Sequence, residues 1–553
     1  MRGYDTMSSS TKKKLRNAQD AEKMTEKQKA EQKEAKKLKI YTAAFVIVLA
    51  LMVAFAAWTA ISKFITHSGI VERNTTALTV NDHKISNAEM NYFFIDAVNN
   101  FYNQYGSYAS MFGLDVTKPL DEQVTDEEAG TTWADDFLQS AINSAKSVYA
   151  LVDEAKANGY TLNEEQQAYV DLQMSNMQTY ANHYGYSVGN YLKAIYGNGA
   201  TEKSLRNYYE NTYLAQCYQT DYVDGLTYDD AAIEAESTAN YAEYCSYSYN
   251  YYFLNVNSFL TGGTTDEEGN TTYSDEEKAA AVDAAEAAAK ELAGTAYENA
   301  DAFDAAIAAM PINADAETPA ASTAQEDVAY SKVLSTIRDW VADTARKSGD
   351  ITYLASTSTS TDDDGNETTT TTGYYVVLFG SANDNEYPLA NVRHILVKFQ
   401  GGTKDGNGNT TYSDEEKNAA KATAEALLTE WKNGDANEES FAALAGEKSE
   451  DPGSSENGGL YEDVYPGQMV ANFNDWCFAD GRKAGDTGIV ESTYGYHVMF
   501  YSGDSETTYR DYLVTKALRS TESETWYNNL LDNAAVTEGS MKYLKTDLVL
   551  SSN

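Results

Sequence analysis

The longest uninterrupted apolar stretch of the chain is IYTAAFVIVLALMVAFAAWTAI, Ile40 to Ile61, and it contains no charged residue. A helix rises about 1.5 Å per residue, so this run is about 33 Å long, matches the hydrocarbon core of a bilayer, and predicts a transmembrane signal-anchor helix over 40–62. Further on, ALTVNDHKIS alternates apolar and polar positions around a turn at Asn81-Asp82, and Ser86 followed three residues later by Glu89 predicts a capping box that opens a helix. From there the apolar positions keep helical spacing, broken at Gly159, at Gly185 and in YGNGATEKSL, Tyr196 to Leu205, so a helical domain is predicted over 68–245.

The rest of the chain contains an internal repeat. FLTGGTTDEEGNTTYSDEEKAAA from Phe259 matches FQGGTKDGNGNTTYSDEEKNAA from Phe399 at an offset of 139. IRDWVADTARKSGD, Ile337 to Asp350, matches FNDWCFADGRKAGD, Phe473 to Asp486, at an offset of 136, and GYYVVLF from Gly373 matches GYHVMFY from Gly495. Each copy reads as a strand, a Gly/Asn turn, helices and two closing strands, which predicts an α+β fold of helices against a small antiparallel sheet. The predicted boundaries are 246–381 and 388–503, followed by a helical segment over 504–553.

Charge narrows the partners. With 84 Asp+Glu against 41 Lys+Arg the chain carries −43, which excludes a nucleic acid held by phosphate neutralisation. The imbalance is uneven, because residues 1–39 hold twelve Lys+Arg and six Asp+Glu, a net +6 that leaves −49 for the remainder. A basic flank before an apolar run keeps residues 1–39 as a cytoplasmic tail and predicts a single-pass membrane protein with its bulk outside the cytoplasm. A cleaved signal peptide is disfavoured, since its basic region is normally far shorter. Three cysteines scattered through the chain suggest neither a zinc site nor a disulfide scaffold, no HExxH, Walker A or GxSxG motif occurs, and no metal or other cofactor is expected. The acidic turns Asp362 to Glu367 and Lys404 to Thr411 do not fit a calcium loop and are expected to be solvated hairpin tips.

The second copy carries four blocks in order: NVRHILVKF with His394, SEDPGSSENGGL with Asp451, PGQMVANF with Met469 and Phe473, and STYGYHVMF with His497. Together they resemble the parvulin family of peptidyl-prolyl isomerases, over roughly 115 residues. The resemblance implies that His394 and His497 form a facing pair at the site floor and that Asp451 is the acidic residue beside them. It further implies that Leu460, Met469 and Phe473 wall the proline pocket, and that Ser492 stands at a substrate-binding hydroxyl position. Tyr461 follows Gly-Gly-Leu where the family commonly has Gly, and the Leu460 to Met469 spacing is one residue longer than the family pattern. Each residue also has a plainer reading. A histidine buried in a strand is ordinarily a satisfied core group, Met469 and Phe473 can be one helix's core, and Asp451 before Pro452-Gly453 can form a turn. The offset of 139 sets His394 against Asn255, and the YGYH block sets His497 against Tyr375, so the first copy is expected to keep the fold without the site.

The wider arrangement, with TVNDHKIS, a helical region and a closing segment TYRDYLVTKALRSTESETWYNNLL, is similar to extracytoplasmic foldases of the PrsA and SurA type. That similarity implies that the first helical segment and the closing one form a single chaperone domain. Two functions are therefore expected. One is a membrane-anchored isomerase and chaperone that acts on unfolded, newly exported polypeptides with Xaa-Pro bonds. The other is a non-catalytic holdase in which both parvulin-like copies only bind.

Overall fold

A computed structural model describes residues 8–22, 26–267, 269–314, 316–361, 365–406 and 408–550. The chain separates into two compact units, residues 1–225 with 523–553, and residues 226–522.

In the first unit, the strand Thr76–Val80 lies between His83–Ser86 and Val536–Glu538, antiparallel to both. Helices Asn87–Tyr105, Trp133–Ala157, Glu164–His183, Val188–Tyr196 and Glu202–Asp224 follow. Their breaks coincide with the turns at Gly159 and Gly185 and the YGNGAT turn, where glycine ends helices readily. One core gathers Leu78, Phe93, Phe94, Ala141 and Leu192, with Leu530 and Leu531 packed against it. Trp526 stacks on Tyr222 at 4.0 Å. The Ser86 hydroxyl accepts from the Glu89 amide at 3.3 Å, but the expected box is half made, because the Glu89 carboxylate turns inward and accepts from the Tyr149 hydroxyl. Burial of that carboxyl raises its pKa.

The apolar run Ile40–Ile61 lies within the helix Glu26–His67. Part of the run falls outside the described side chains, and among the described residues no helix is long and apolar enough to cross a membrane.

The second unit holds two four-stranded antiparallel sheets. The first contains Ser246–Asn255, Thr323–Ala329, Ile351–Thr361 and Glu367–Asn383. The second contains Pro388–Lys398, Leu460–Val464, Thr487–Glu491 and Gly495–Thr508. In both, the strands lie in the order second, first, fourth, third. The repeated sequence therefore builds the same local devices twice. Ser274 with Glu277 and Ser413 with Glu416 form full capping boxes, and each glutamate also accepts from a hairpin amide, Gly263 or Gly402, at 2.8 Å. Arg346 lies over Trp340 at 4.7 Å and Arg482 over Trp476 at 4.0 Å. An N-cap of this kind contributes about 1 kcal/mol. Ser413→Ala is expected to lower the stability of the full chain by about that amount, read as a lower midpoint in urea.

Helix Asp414–Asn433 buries Ala420, Ala424, Leu427 and Trp431, a single face at helical spacing, against Ile395, Val397, Val498 and Phe500 of the second sheet. The alanines let the helix approach closely, and the Trp431 indole donates to the Asn437 carbonyl at 3.0 Å, which satisfies its one polar atom.

One alignment expected from the sequence is corrected. His497 is cross-strand partner to Leu396, and Tyr375 to Phe253, so the spatial counterpart of His394 is Tyr251, not Asn255. The cause is a 3-10 turn, Val256–Phe259, that the first copy inserts between its opening strand and its hairpin. An offset counted from the hairpin therefore overshoots the strand by four residues. Tyr251 and Tyr375, with ring centroids 5.7 Å apart, take the positions that the two histidines hold in the second copy.

The turn Asp362 to Glu367 falls partly on residues 362–364, outside the described residues. In the hairpin beyond Lys404, Asp405 accepts from the Asn409 amide at 2.9 Å, so its carboxylate closes the turn.

Candidate active site

His394 sits mid-strand in Pro388–Lys398, and strand alternation turns it with Val392 toward the face on which helix Ala471–Cys477 packs. His497 projects from the neighbouring strand. The register pairs His394 with Met499 and His497 with Leu396, so the two histidines are diagonal neighbours on one face. Their rings stack with centroids 5.1 Å apart, their Nδ1 atoms are 2.9 Å apart, and they are 3% and 5% exposed.

The chain 451–460 closes over His394. Gly459 holds a left-handed φ of 73°, and a side chain there would meet the His394 carbonyl oxygen at 2.3 Å. Only glycine lets this loop approach so closely, and its carbonyl accepts from the His394 amide at 2.9 Å. That approach brings Asp451 Oδ2 to 3.0 Å from His394 Nε2. The same oxygen accepts from Ser454 Oγ at 2.6 Å and from Tyr461 Oη at 2.9 Å. At the other end, Ser492 Oγ lies 2.8 Å from His497 Nε2.

The tautomers follow from the partners. A carboxylate only accepts, so His394 carries a proton on Nε2, and with both rings uncharged its Nδ1 accepts from His497 Nδ1–H. His497 Nε2 is then an acceptor for the Ser492 hydroxyl. The result is one directed chain from Ser492 through His497 and His394 to Asp451. The hydrogen bond from His394, then those from Ser454 and Tyr461, hold the Asp451 carboxyl well below the usual carboxylate range, against desolvation that acts the other way. Burial first, and His394 second, push His497 down to about 4, with Asp451 opposing. Near neutral pH the site thus pairs an ionised carboxylate with an uncharged His497.

Phe473, 2% exposed, meets both imidazoles edge to face, at 5.3 Å from His394 and 5.4 Å from His497. Met469 is half-buried and packs against the same cluster, as do Tyr461 and Trp476. Five of the seven residues singled out in the sequence are brought together here: His394, Asp451, His497, Met469 and Phe473. Ser492 is also present, but its hydroxyl is engaged by His497. Leu460 is corrected. It pairs with Arg393, whose side chain reaches Glu438 on the face covered by helices Asp414–Asn433 and Glu438–Lys448, whereas Tyr461 pairs with Val392 on the His394 face. A strand puts successive side chains on opposite faces, so the pocket receives Tyr461 instead. Ser454 and Tyr461 also belong to the site, through their hydrogen bonds to Asp451. The only signal for Ser454 was its place three residues after Asp451; Tyr461 had only its departure from the Gly-Gly-Leu-Gly pattern.

A family model described as the PPIC-type PPIASE domain matches residues 378–501. The chain is 39% identical over 112 residues to foldase protein PrsA 1 of Listeria innocua, which is 20% of this chain and 30% of that protein. It is 41% identical over 112 residues to chaperone SurA of Chromohalobacter salexigens, covering 20% of this chain and 21% of that one. Among solved structures, the peptidylprolyl isomerase PrsA from Bacillus cereus aligns at 28% identity, over 29% of this chain and 56% of its own, with a TM-score of 0.17. The chain thus spans less than a third of the length of the curated relatives it matches. The polar chain, the apolar wall and the matched segment coincide, and residues 378–501 are a parvulin-type, PPIC-class domain of the PrsA and SurA kind.

Proposed function

We propose that this protein is a peptidyl-prolyl cis-trans isomerase and chaperone for exported polypeptides, with its isomerase site in the second repeat. The observation that carries this reading is the continuous hydrogen-bonded chain Ser492–His497–His394–Asp451 beside the apolar wall of Met469 and Phe473. Rotation about an Xaa-Pro bond faces a barrier of about 18–20 kcal/mol, because the twisted amide loses its resonance. No bond breaks, so no nucleophile is needed. The planar amide concentrates negative charge on its oxygen, and the twisted one does not. A fixed carboxylate close to that oxygen therefore disfavours the planar form more than the twisted one, which is differential binding of the transition state. In this scheme Asp451 supplies the charge, His394 and His497 hold it in place, and Met469 and Phe473 grip the proline ring.

The surroundings follow from the same reading. The 22-residue uncharged run Ile40–Ile61 behind a basic tail supports a single-pass anchor with residues beyond it outside the cytoplasm. The first repeat, 246–381, keeps the sheet order but replaces the histidine pair with Tyr251 and Tyr375, which supports a parvulin-like spacer or client-binding surface without isomerase activity. The closing residues 523–553 share one compact unit with the helices before residue 226, which supports a chaperone unit built from both ends of the chain, while 226–245 and 504–522 of the expected segments fall in the other unit.

The test is cis-to-trans exchange of a short Xaa-Pro peptide with the full chain. Acceleration over the uncatalysed rate is expected, with kcat/KM reduced roughly tenfold in Met469→Ala, the scale of one lost apolar contact in a pocket. No acceleration from folded protein, across several residues before the proline, would replace this reading with the holdase one.

A further inference from the structure

The helical unit contains a cavity of its own, away from the histidine pair. About 220 Å³ in volume, it lies between helices Asn87–Tyr105, Glu164–His183 and Glu202–Asp224 and is lined by Asp96, Tyr169, Gln173, Tyr208, Tyr209 and Tyr213. We propose that this cavity binds the cationic side chain of a client polypeptide, the guanidinium of an Arg or the ammonium of a Lys, paired with the Asp96 carboxylate beside the tyrosine rings. The proposal rests on the chaperone reading and names a kind of residue that the helical unit selects.

Helical spacing puts the carboxylate here. Tyr92 and Asp96, one turn apart on Asn87–Tyr105, meet Ser204 and Tyr208, one turn apart on Glu202–Asp224. Tyr92 Oη lies 2.8 Å from Ser204 Oγ, and Tyr208 Oη donates to Asp96 Oδ2 at 2.6 Å. Tyr208 is 6% exposed, and its ring meets Phe93 edge to face at 4.8 Å, so the oxygen it binds is held in place. The walls are aromatic. Tyr169 stacks on Tyr213 with centroids 4.4 Å apart, and Tyr169 remains 45% exposed, so this pair borders solvent. The face of a tyrosine ring attracts a cation, and a guanidinium also stacks on it.

Charge decides the occupant. Among the described residues that line the cavity, Asp96 alone carries a charge, and Tyr208 offers it a neutral hydrogen bond. Arg206, on the same helix as Tyr208, is held by Asp171 at 2.7 Å and by Glu210 at 3.8 Å. Asp96 is thus a half-buried carboxylate with no counter-ion among the described residues, and burial pushes its carboxyl up against the opposing hydrogen bond from Tyr208. A carboxylate taken out of water is costly until it is paired, so an entering cation restores what burial removes. An acidic side chain meets repulsion here, and an apolar one leaves the carboxylate unpaired. The size suits one side chain, because 220 Å³ is below the ~300–1,000 Å³ of pockets that enclose whole organic ligands. The −49 carried by residues 40–553 favours encounter with basic segments.

The test uses the full chain and two labelled, proline-free octapeptides, identical except for a central Arg or its uncharged isostere citrulline. Binding is read by fluorescence anisotropy at about 0.15 M salt, where long-range attraction is screened. Wild-type protein is expected to bind the Arg peptide about tenfold more tightly, the scale of one cation desolvated at an aromatic face. In Asp96→Asn, whose amide oxygen can still accept from Tyr208, the ratio is expected to fall to about one. In Glu127→Gln, which removes the same charge from an exposed turn of the same unit, it is expected to stay at about tenfold. Equal binding of both peptides by wild-type protein, a tenfold ratio that persists in Asp96→Asn, or an equal fall in Glu127→Gln overturns the site. If Asp96→Asn does not fold, Tyr169→Ala decides, because Tyr169 is exposed and outside the buried core: a fall to about threefold sustains the site, and an unchanged ratio overturns it. Wild-type protein that binds neither peptide overturns the chaperone reading instead. The cavity is then judged by calorimetry with N-acetyl-arginine methylamide: heat that the same variant weakens sustains it, and no heat, or heat unchanged in the variant, overturns it.

Discussion

Replacing Asp451 with alanine is expected to lower kcat/KM for Xaa-Pro exchange by roughly 10²- to 10³-fold, the loss typical when one preorganised electrostatic group is removed from a closed site. The size follows from how many groups this carboxylate organises. Its Oδ2 accepts from His394, Ser454 and Tyr461, so its removal takes a shared acceptor from three donors, leaves His394 Nε2 only the Ser454 hydroxyl at 3.0 Å, and takes away the charge that fixes the His394 tautomer. His394 can then place its proton on Nδ1, which faces His497 Nδ1, and the directed chain to Ser492 is lost. Asp451→Asn separates charge from shape. Its amide oxygen can still accept but carries no full charge, and a loss intermediate between wild type and alanine is expected. Both variants should keep the fold, read as an unchanged far-UV circular dichroism spectrum and a stability in urea within about 1 kcal/mol of wild type, because the buried apolar cluster around Phe473 does not include Asp451. Alanine and asparagine variants that both keep wild-type kcat/KM would remove Asp451 from the mechanism and leave it as the turn former of the 451–460 loop.

The parts of this site that could be read from the sequence are those carried by contiguous residues. His394 and His497 lie in strand blocks whose alternation assigns them a face, and Met469 and Phe473 belong to one short run, so each was recognisable before any fold was known. Ser454 and Tyr461 were not, because their roles depend on how a loop with two successive glycines folds back over His394, which is a tertiary event. Leu460 was assigned to the pocket on motif position, yet register decides the face of a strand residue, and a shift of one residue exchanges it with its neighbour. The counterpart of His394 in the first repeat was misplaced for a similar reason, since four inserted residues in a 3-10 turn leave no mark in an offset measured from the hairpin. The tandem element order itself was legible, because capping boxes, Gly/Asn turns and helical faces are local and recur in both copies.

The second large effect is expected in acid. Between about pH 6.5 and pH 4 the second repeat should lose about 3 kcal/mol of local stability, with His497 as the group responsible. Its imidazole is held at about 4 in the folded protein against an ordinary value of 6.5, chiefly because burial disfavours the cation and because His394 lies against it. In that window the unfolded chain binds a proton at this position and the folded chain does not, so stability rises with pH and falls on acidification. Two and a half pKa units correspond to about 3 kcal/mol. Asp451 acts with the same sign but later. Its carboxyl is depressed, so its contribution is complete above the ordinary carboxylate value near 3.8 and is lost only as pH falls further toward its folded value. Hydrogen exchange of the strand Gly495–Thr508 in the full chain, corrected for intrinsic rates, should therefore show protection that falls more than a hundredfold from pH 6.5 to 4, while His497→Gln shows a shallower slope. The same neutral His497 predicts that its own protonation lowers isomerase activity only near pH 4, where it would put a second donor on a ring whose Nε2 must accept from Ser492. An NMR titration that places the His497 midpoint near 6.5 would contradict both profiles, because a group with its ordinary affinity for protons lends no pH dependence to folding and gives the site no reason to stay uncharged.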